Sequence, residues 1–212
     1  MRSKVPKSAI SRHLDAIDPT QTYKYKKLGN DLEGISSKYF GSAVAISGDG
    51  SLVAVGSEGD YGYAGSVFVF QYDPSTLQWT QFGQRIRGES SGDKSGASLA
   101  MSKDGLRLVV GARDNGNNYY GHMRVYEYSS GQWSQMGGDL NGFARNDNAG
   151  TSVTISGDGS RVAMGAPSND RATLYQDGRF QQQAVCLSSP TMILSALPSE
   201  SVTYLPALIS SS

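Results

Sequence analysis

The sequence predicts an all-β fold of three tandem antiparallel units, because marker residues recur every 54 or 55 positions and apolar residues alternate between them. Ser47-Gly48-Asp49-Gly50 returns as Ser102-Lys103-Asp104-Gly105 and as Ser156-Gly157-Asp158-Gly159, at offsets of 55 and 54. Gly29-Asn30-Asp31-Leu32-Glu33-Gly34 returns as Gly83 to Gly88 and as Gly137 to Gly142, each 54 residues on. Tyr25, Trp79 and Trp133 keep the same spacing.

Within the first copy, Ser42 to Ile46 reads as a strand that runs into a turn carrying Asp49-Gly50 and continues as Leu52 to Val55. Asp and Gly tolerate the positive φ of a tight turn, so the pair between apolar runs marks a hairpin. A third strand is predicted at Ser66–Tyr72, where Val67 and Val69 alternate with Phe68 and Phe70, and a fourth at Gln78–Ile86 around Trp79 and Phe82. The second copy repeats the pattern at Ala97–Ser102, Leu106–Gly111, His122–Tyr128 and Gln132–Leu140. Four short strands that are apolar on both faces need a neighbour on each side, and radial stacking of propeller-type blades supplies one. The predicted blades cover 40–88, 95–142 and 149–183, and a spare strand at 23–32 matches the last strand of a missing preceding blade. Three blades fall short of the four to eight of a closed ring. The expectation is therefore an incomplete or open β-propeller that self-associates through exposed blade edges or belongs to a longer protein.

The third copy is five residues shorter between its second and third strands, and its last hairpin, Tyr175 to Phe180, puts Phe180 in the place of Trp133. The repeat domain is set at 22–183, with 1–21 and the Ser/Pro/Leu-rich 184–212 as tails outside it. The second tail lacks the alternation that would offset the entropy of ordering it.

Composition narrows the function. Lys plus Arg and Asp plus Glu number 19 each, so no excess of charge argues for nucleic acid or an anionic membrane. One cysteine, Cys186, and two histidines, His13 and His122, exclude a disulfide framework and leave metal chemistry thin. No apolar run approaches a membrane span or a secretory signal, which favours a cytosolic location. No phosphate loop, metal cluster or nucleophile triad can be assembled, so the expectation is no cofactor, no metal and no catalysis.

Phe40-Gly41 and Gly165-Ala166-Pro167 resemble the FG-GAP repeats of integrin-α-like propellers. Looser forms occur at Ser95-Gly96 and Ala149-Gly150, and at Gly56-Ser57-Glu58 and Gly111-Ala112-Arg113. The first FG-type residue precedes the GAP-type glycine by 16 in every copy (40 to 56, 95 to 111, 149 to 165), over residues 24–183. The resemblance implies a propeller fold and, in many members, a calcium loop rich in acidic ligands. This chain departs there: each turn keeps one acid, Asp49, Asp104 or Asp158, whereas calcium takes six to eight oxygens.

Antiparallel strands alternate ends, so the tight turns gather at one end of the blades. The longer second-to-third loops and the blade connections, Glu89–Lys94 and Arg145–Asn148, gather at the other. Loops on a rigid scaffold carry binding, and Tyr and Asn are effective contact residues. The candidate ligand face is Glu58, Asp60, Tyr61, Tyr63, Asp114, Asn115, Asn117, Asn118, Tyr119, Tyr120, Asn169 and Asp170. Trp79 and Trp133 are expected to pack between blades, and His122 to be structural or exposed. The expected function is a protein- or glycan-binding module. The alternatives are a calcium-dependent integrin-like adhesion module and, third, a propeller enzyme.

Overall fold

The computed structural model describes residues 26–34, 38–115, 119–178 and 185–186. Expectations for Tyr25, Asn117, Asn118, Phe180, the first tail and nearly all of the second lie outside these residues.

The described chain is all-β and propeller-like, with three antiparallel sheets. The first orders β1 (Phe40–Ile46), β2 (Leu52–Ser57), β3 (Ser66–Asp73) and β4 (Gln78–Gln81), with β5 (Ile86–Arg87) also on β3. The second orders β6 (Ser98–Met101), β7 (Arg107–Ala112), β8 (His122–Ser129) and β9 (Gln132–Asn141). The third orders β10 (Ser152–Ile155), β11 (Arg161–Ala166), β12 (Arg171–Gln176) and β13 (Val185–Cys186). The fourth strand predicted as one run, Gln78–Ile86, is broken in two between Gln81 and Ile86, around Gly83. Val185–Cys186 pairs with Thr173 and Leu174, two residues past the expected boundary of the repeat domain. Lys26–Gly34 forms no strand, although part of it was predicted as one.

Each Ser-x-Asp-Gly marker is a self-contained turn. Ser47 Oγ donates to Asp49 Oδ1 at 2.6 Å, Ser51 N–H donates to the same oxygen at 3.0 Å, and Leu52 N–H donates to Ser47 Oγ at 3.0 Å. Ser102 with Asp104, and Ser156 with Asp158, repeat the pattern. These donors, the serine hydroxyls first, hold the Asp49 and Asp158 carboxyls down at about 2.

The sheets pack large rows onto small ones. Cross-strand rows Met101–Leu108–Tyr126 and Leu99–Val110–Arg124 face the first sheet, where Leu52, Ala54, Val67 and Val69 complete the core. Ile155–Val162–Tyr175 and Val153–Met164–Thr173 are the same rows one copy on; their apolar members meet Val109, Met123 and Val125 of the second sheet. Close approach is made by the motif glycines. A Cβ on Gly56 would stand 2.1 Å from the Gly96 carbonyl oxygen, and one on Gly111 2.2 Å from that of Gly150. The first two GAP-type glycines thus each receive the FG-type glycine of the following copy, and within a copy Gly96 N–H donates to the Gly111 carbonyl at 3.0 Å and Gly150 N–H to that of Gly165 at 3.1 Å, which ties the two motif ends together.

A tryptophan latch closes the outer edge. Trp133 N–H donates to Gln84 Oε1 at 2.9 Å and its indole Nε1–H donates to the Phe82 carbonyl at 3.1 Å. Its ring covers Gly83, where a Cβ would come within 2.8 Å of Cδ1. One copy earlier, Trp79 makes the same bonds to Asn30 Oδ1 at 2.8 Å and to the Leu28 carbonyl at 2.9 Å, over Gly29. Trp133 is buried between sheets as expected. Lys26–Gly34 is therefore a docking segment without being a strand.

His122 is 2% exposed and its Nδ1 has no hydrogen-bond partner, so of the two expected placements it takes the structural one. Burial, followed by the charge of Arg124, pushes its pKa down. An unfolded imidazole binds its proton near pH 6.5, above the folded value, so the unfolded chain takes up more protons as the pH falls. Stability should be complete above about pH 6.5 and decline as the pH drops toward the folded pKa. Urea midpoints of the intact chain and of His122→Asn at pH 7 and pH 5.5 check this. The variant should lose part of the slope, and an unchanged slope would assign it to other groups.

Candidate functional site

The second-to-third loops and the connections meet at one end, tied by their main chains. Gly59 N–H donates to the Lys38 carbonyl at 3.2 Å, Lys94 N–H to that of Tyr63 at 2.8 Å, and Asn148 N–H to that of Tyr119 at 3.1 Å. The first loop is a single helical turn, Asp60–Tyr63, broken by left-handed backbone at Tyr61 and Gly62. The third is a 3-10 turn, Pro167–Asn169, ended by Asp170 at φ +50°.

Three acidic members of the predicted face, Glu58, Asp60 and Asp114, act as internal struts, whereas Asp170 is exposed. Glu58 accepts from Arg113 Nη2 at 3.1 Å, which joins the first loop to the second. Asp60 is buried and pairs with Arg85 at 3.3 Å, and Asp114 pairs with Lys94 at 2.7 Å. Asn169 donates to buried Asp147 Oδ1, and Ser168 Oγ donates to Asn148 Oδ1 at 2.9 Å, tying the third loop to its connection. The Asn115 carbonyl accepts from Gly121 N–H at 3.1 Å, so its main chain closes the second loop.

Aromatic rings make the exposed part. Tyr61, Tyr63, Tyr119 and Tyr120 of the predicted set are joined by Tyr39 and Phe143, all between 39% and 60% exposed. Tyr39, Tyr61, Tyr63 and Tyr119 have φ of 60°, 49°, 67° and 54°. Bulky residues rarely adopt this backbone, and each such residue costs on the order of 1–3 kcal/mol. Arg85 and Arg87 sit over the Tyr61 ring at 4.6 and 4.3 Å, and Arg85 also donates to the Tyr61 hydroxyl. The Tyr39 and Tyr63 rings lie 6.1 Å apart, and the hydrogen bond with the Tyr63 hydroxyl raises the Tyr39 phenol above its ordinary range.

Sequence reasoning missed Tyr39, Arg85, Arg87 and Phe143, which lie outside the long loops. It also missed Asp93 and Asp147, buried carboxylates 54 residues apart that accept main-chain N–H groups, Asp93 from Ser90 and Asp147 from Phe143 and Ala144. That recurrence was the available signal. The two grooves that stand out, of about 430 and 400 Å³, lie at the opposite, tight-turn end. In the larger, Arg107 occupies the position of Leu52 and bridges Glu127 at 3.4 Å to Asp177 of the next sheet at 3.1 Å. No group of three or more His, Cys, Asp or Glu side chains among the described residues is arranged to hold a metal ion.

No known family profile and no curated protein matches the chain. Among solved structures it is similar to a Bacteroides fragilis protein described as a 6-phosphogluconolactonase, at 15% identity and a TM-score of 0.46, over 68% of this chain. The chain spans 37% of that protein's length. The expectation that the chain is not an enzyme is corrected here, because the solved protein it resembles bears an enzyme's name. A likeness of this degree assigns no reaction, substrate or residue to this chain.

Proposed function

We propose that the three sheets are blades of an incomplete β-propeller of FG-GAP type, and that the loop end is a binding face for a protein or glycan ligand. The observation that carries the reading is the set of six exposed aromatic rings at one end, four of them tyrosines on left-handed backbone. Tyrosine gives large amphipathic contact area with little rotamer entropy to lose, and strained backbone collects at ligand-binding positions. The ion pairs beneath preorganise the loops, which lowers the cost of binding. The motif glycines at the sheet contacts support the FG-GAP reading in particular.

Glycan and protein arrays probed with the intact chain, with a Tyr61→Ser/Tyr119→Ser double variant and with a Lys103→Glu variant at the tight-turn end test it. The double variant should lose at least tenfold in affinity for any ligand retained, the size of a hot-spot residue. The Lys103 variant should bind as the intact chain does. A ligand held equally by the tyrosine variant, or arrays on which the intact chain retains nothing, would overturn the proposal.

A further inference from the structure

The two end faces of the sheet stack differ in a way that selects how it is covered. On the outer face of the first sheet, cross-strand rows Ile46–Val53–Phe70 and Val44–Val55–Phe68 occupy the positions of the large rows that the second and third sheets bury. Val44 is 67% and Ile46 61% exposed, whereas their counterparts Leu99 and Met101 are half-buried against the first sheet. On the outer face of the third sheet, the rows are Thr154–Ala163–Leu174 and Ser152–Gly165–Ala172. Ala163 and Ala172 stand where the second sheet has Val109 and Met123. The unburied large face keeps Ile, Val and Phe, the same apolar class as the rows it matches, and the unburied small face keeps Ser152, Gly165, Ala163 and Ala172. Both internal contacts set a large face on a small one. Lys26–Gly34 already supplies the outer latch of the first sheet through Leu28 and Asn30. What the first sheet lacks is a face of inner strands, which β10–β12 of another copy present.

We propose that two copies of this chain associate head to tail, the first sheet of each on the third sheet of the other, closing a ring of six sheets. Six lies within the four to eight blades of closed propellers, and a closed heterologous contact stops at the dimer instead of growing into a filament. Head-to-head pairing would set Phe68 and Phe70 against their own copies and leave the small face bare. The inference rests on the blade reading and is independent of the ligand on the loop end.

Sedimentation velocity on the intact chain at micromolar concentration should give twice the mass of the chain, with no larger species. Val44→Asp and Leu174→Asp alter exposed side chains, so each variant should keep its β-sheet circular dichroism. Each should weaken the dimer by at least about a hundredfold, the order set by an unpaired carboxylate in an apolar contact. Mixing the two variants should restore dimers, because one of the two contacts in the mixed ring carries neither change. A monomer, a filament, a dimer indifferent to Leu174→Asp, or a mixture that stays monomeric would each overturn the proposal, whatever the arrays report. If Val44→Asp misfolds, Ile46→Asp takes its place in the same series.

Discussion

Trp133→Ala is expected to destabilise the chain by about 3–5 kcal/mol, the range for truncating a buried aromatic. The loss has three parts. The ring is 4% exposed and fills the space over Gly83; its indole Nε1–H satisfies the Phe82 carbonyl; and it packs against Tyr128 at 5.2 Å and Phe82 at 6.4 Å. Removing it would also loosen the 4.0 Å stack of Phe82 on Tyr128, which links the first sheet to the second. Trp79 makes the same bonds but is only half-buried, so Trp79→Ala should cost clearly less. Urea midpoints with unchanged slopes would measure both. A larger loss at Trp79 would mean that the outer latch, and not the inter-sheet core, sets stability.

The second large effect is expected from single methyl groups. Gly56→Ala and Gly111→Ala each place Cβ about 2 Å from a main-chain oxygen of the next sheet, and at Gly111 also 2.1 Å from Ser98 Oγ. Backbone on both sides cannot rotate away as a side chain would. Each substitution should therefore cost about 3 kcal/mol or more, the upper end of overpacking, or abolish folding. Gly138→Ala is the control. No atom lies within 4 Å of its would-be Cβ, its φ is not positive, and its site is exposed, so the midpoint should stay within about 0.5 kcal/mol of the parent. Equal losses at all three positions would show that close approach is not what requires glycine at Gly56 and Gly111.

These two experiments mark what the sequence made legible. Ser-x-Asp-Gly and the paired glycines could be read because their physics is local or main-chain: a carboxylate capping its own turn, and a backbone that admits no Cβ. Trp133 could be read because its partner positions keep the same period. The loop end was legible only in outline. Its tyrosines stood out by type, but nothing local shows that Asp60 turns inward to Arg85, or that Glu58 reaches Arg113 in the following copy. Such ion pairs join residues 25 and 55 apart, the first between one sheet's own loop and the residue before its last strand, the second through the stacking of neighbouring sheets. Tyr39 escaped notice because it stands where the other copies have the unlike residues Lys94 and Asn148, with which it shares a positive φ. The break at Gly83 was hidden for the same reason, since the second copy carries a continuous strand through Gly137.

At the tight-turn end, Gly48 N–H donates to the Lys103 carbonyl at 2.8 Å, and Lys103 N–H donates to that of Gly157 at 2.9 Å. This run stitches all three sheets with main-chain groups alone, and within the marker one copy holds lysine where the others hold glycine. It also gives the stack a built-in gauge. Each amide hydrogen is held by the neighbouring copy's turn, so its deuterium uptake would report opening of the contact between turns, separately from the amides of the strand ladders.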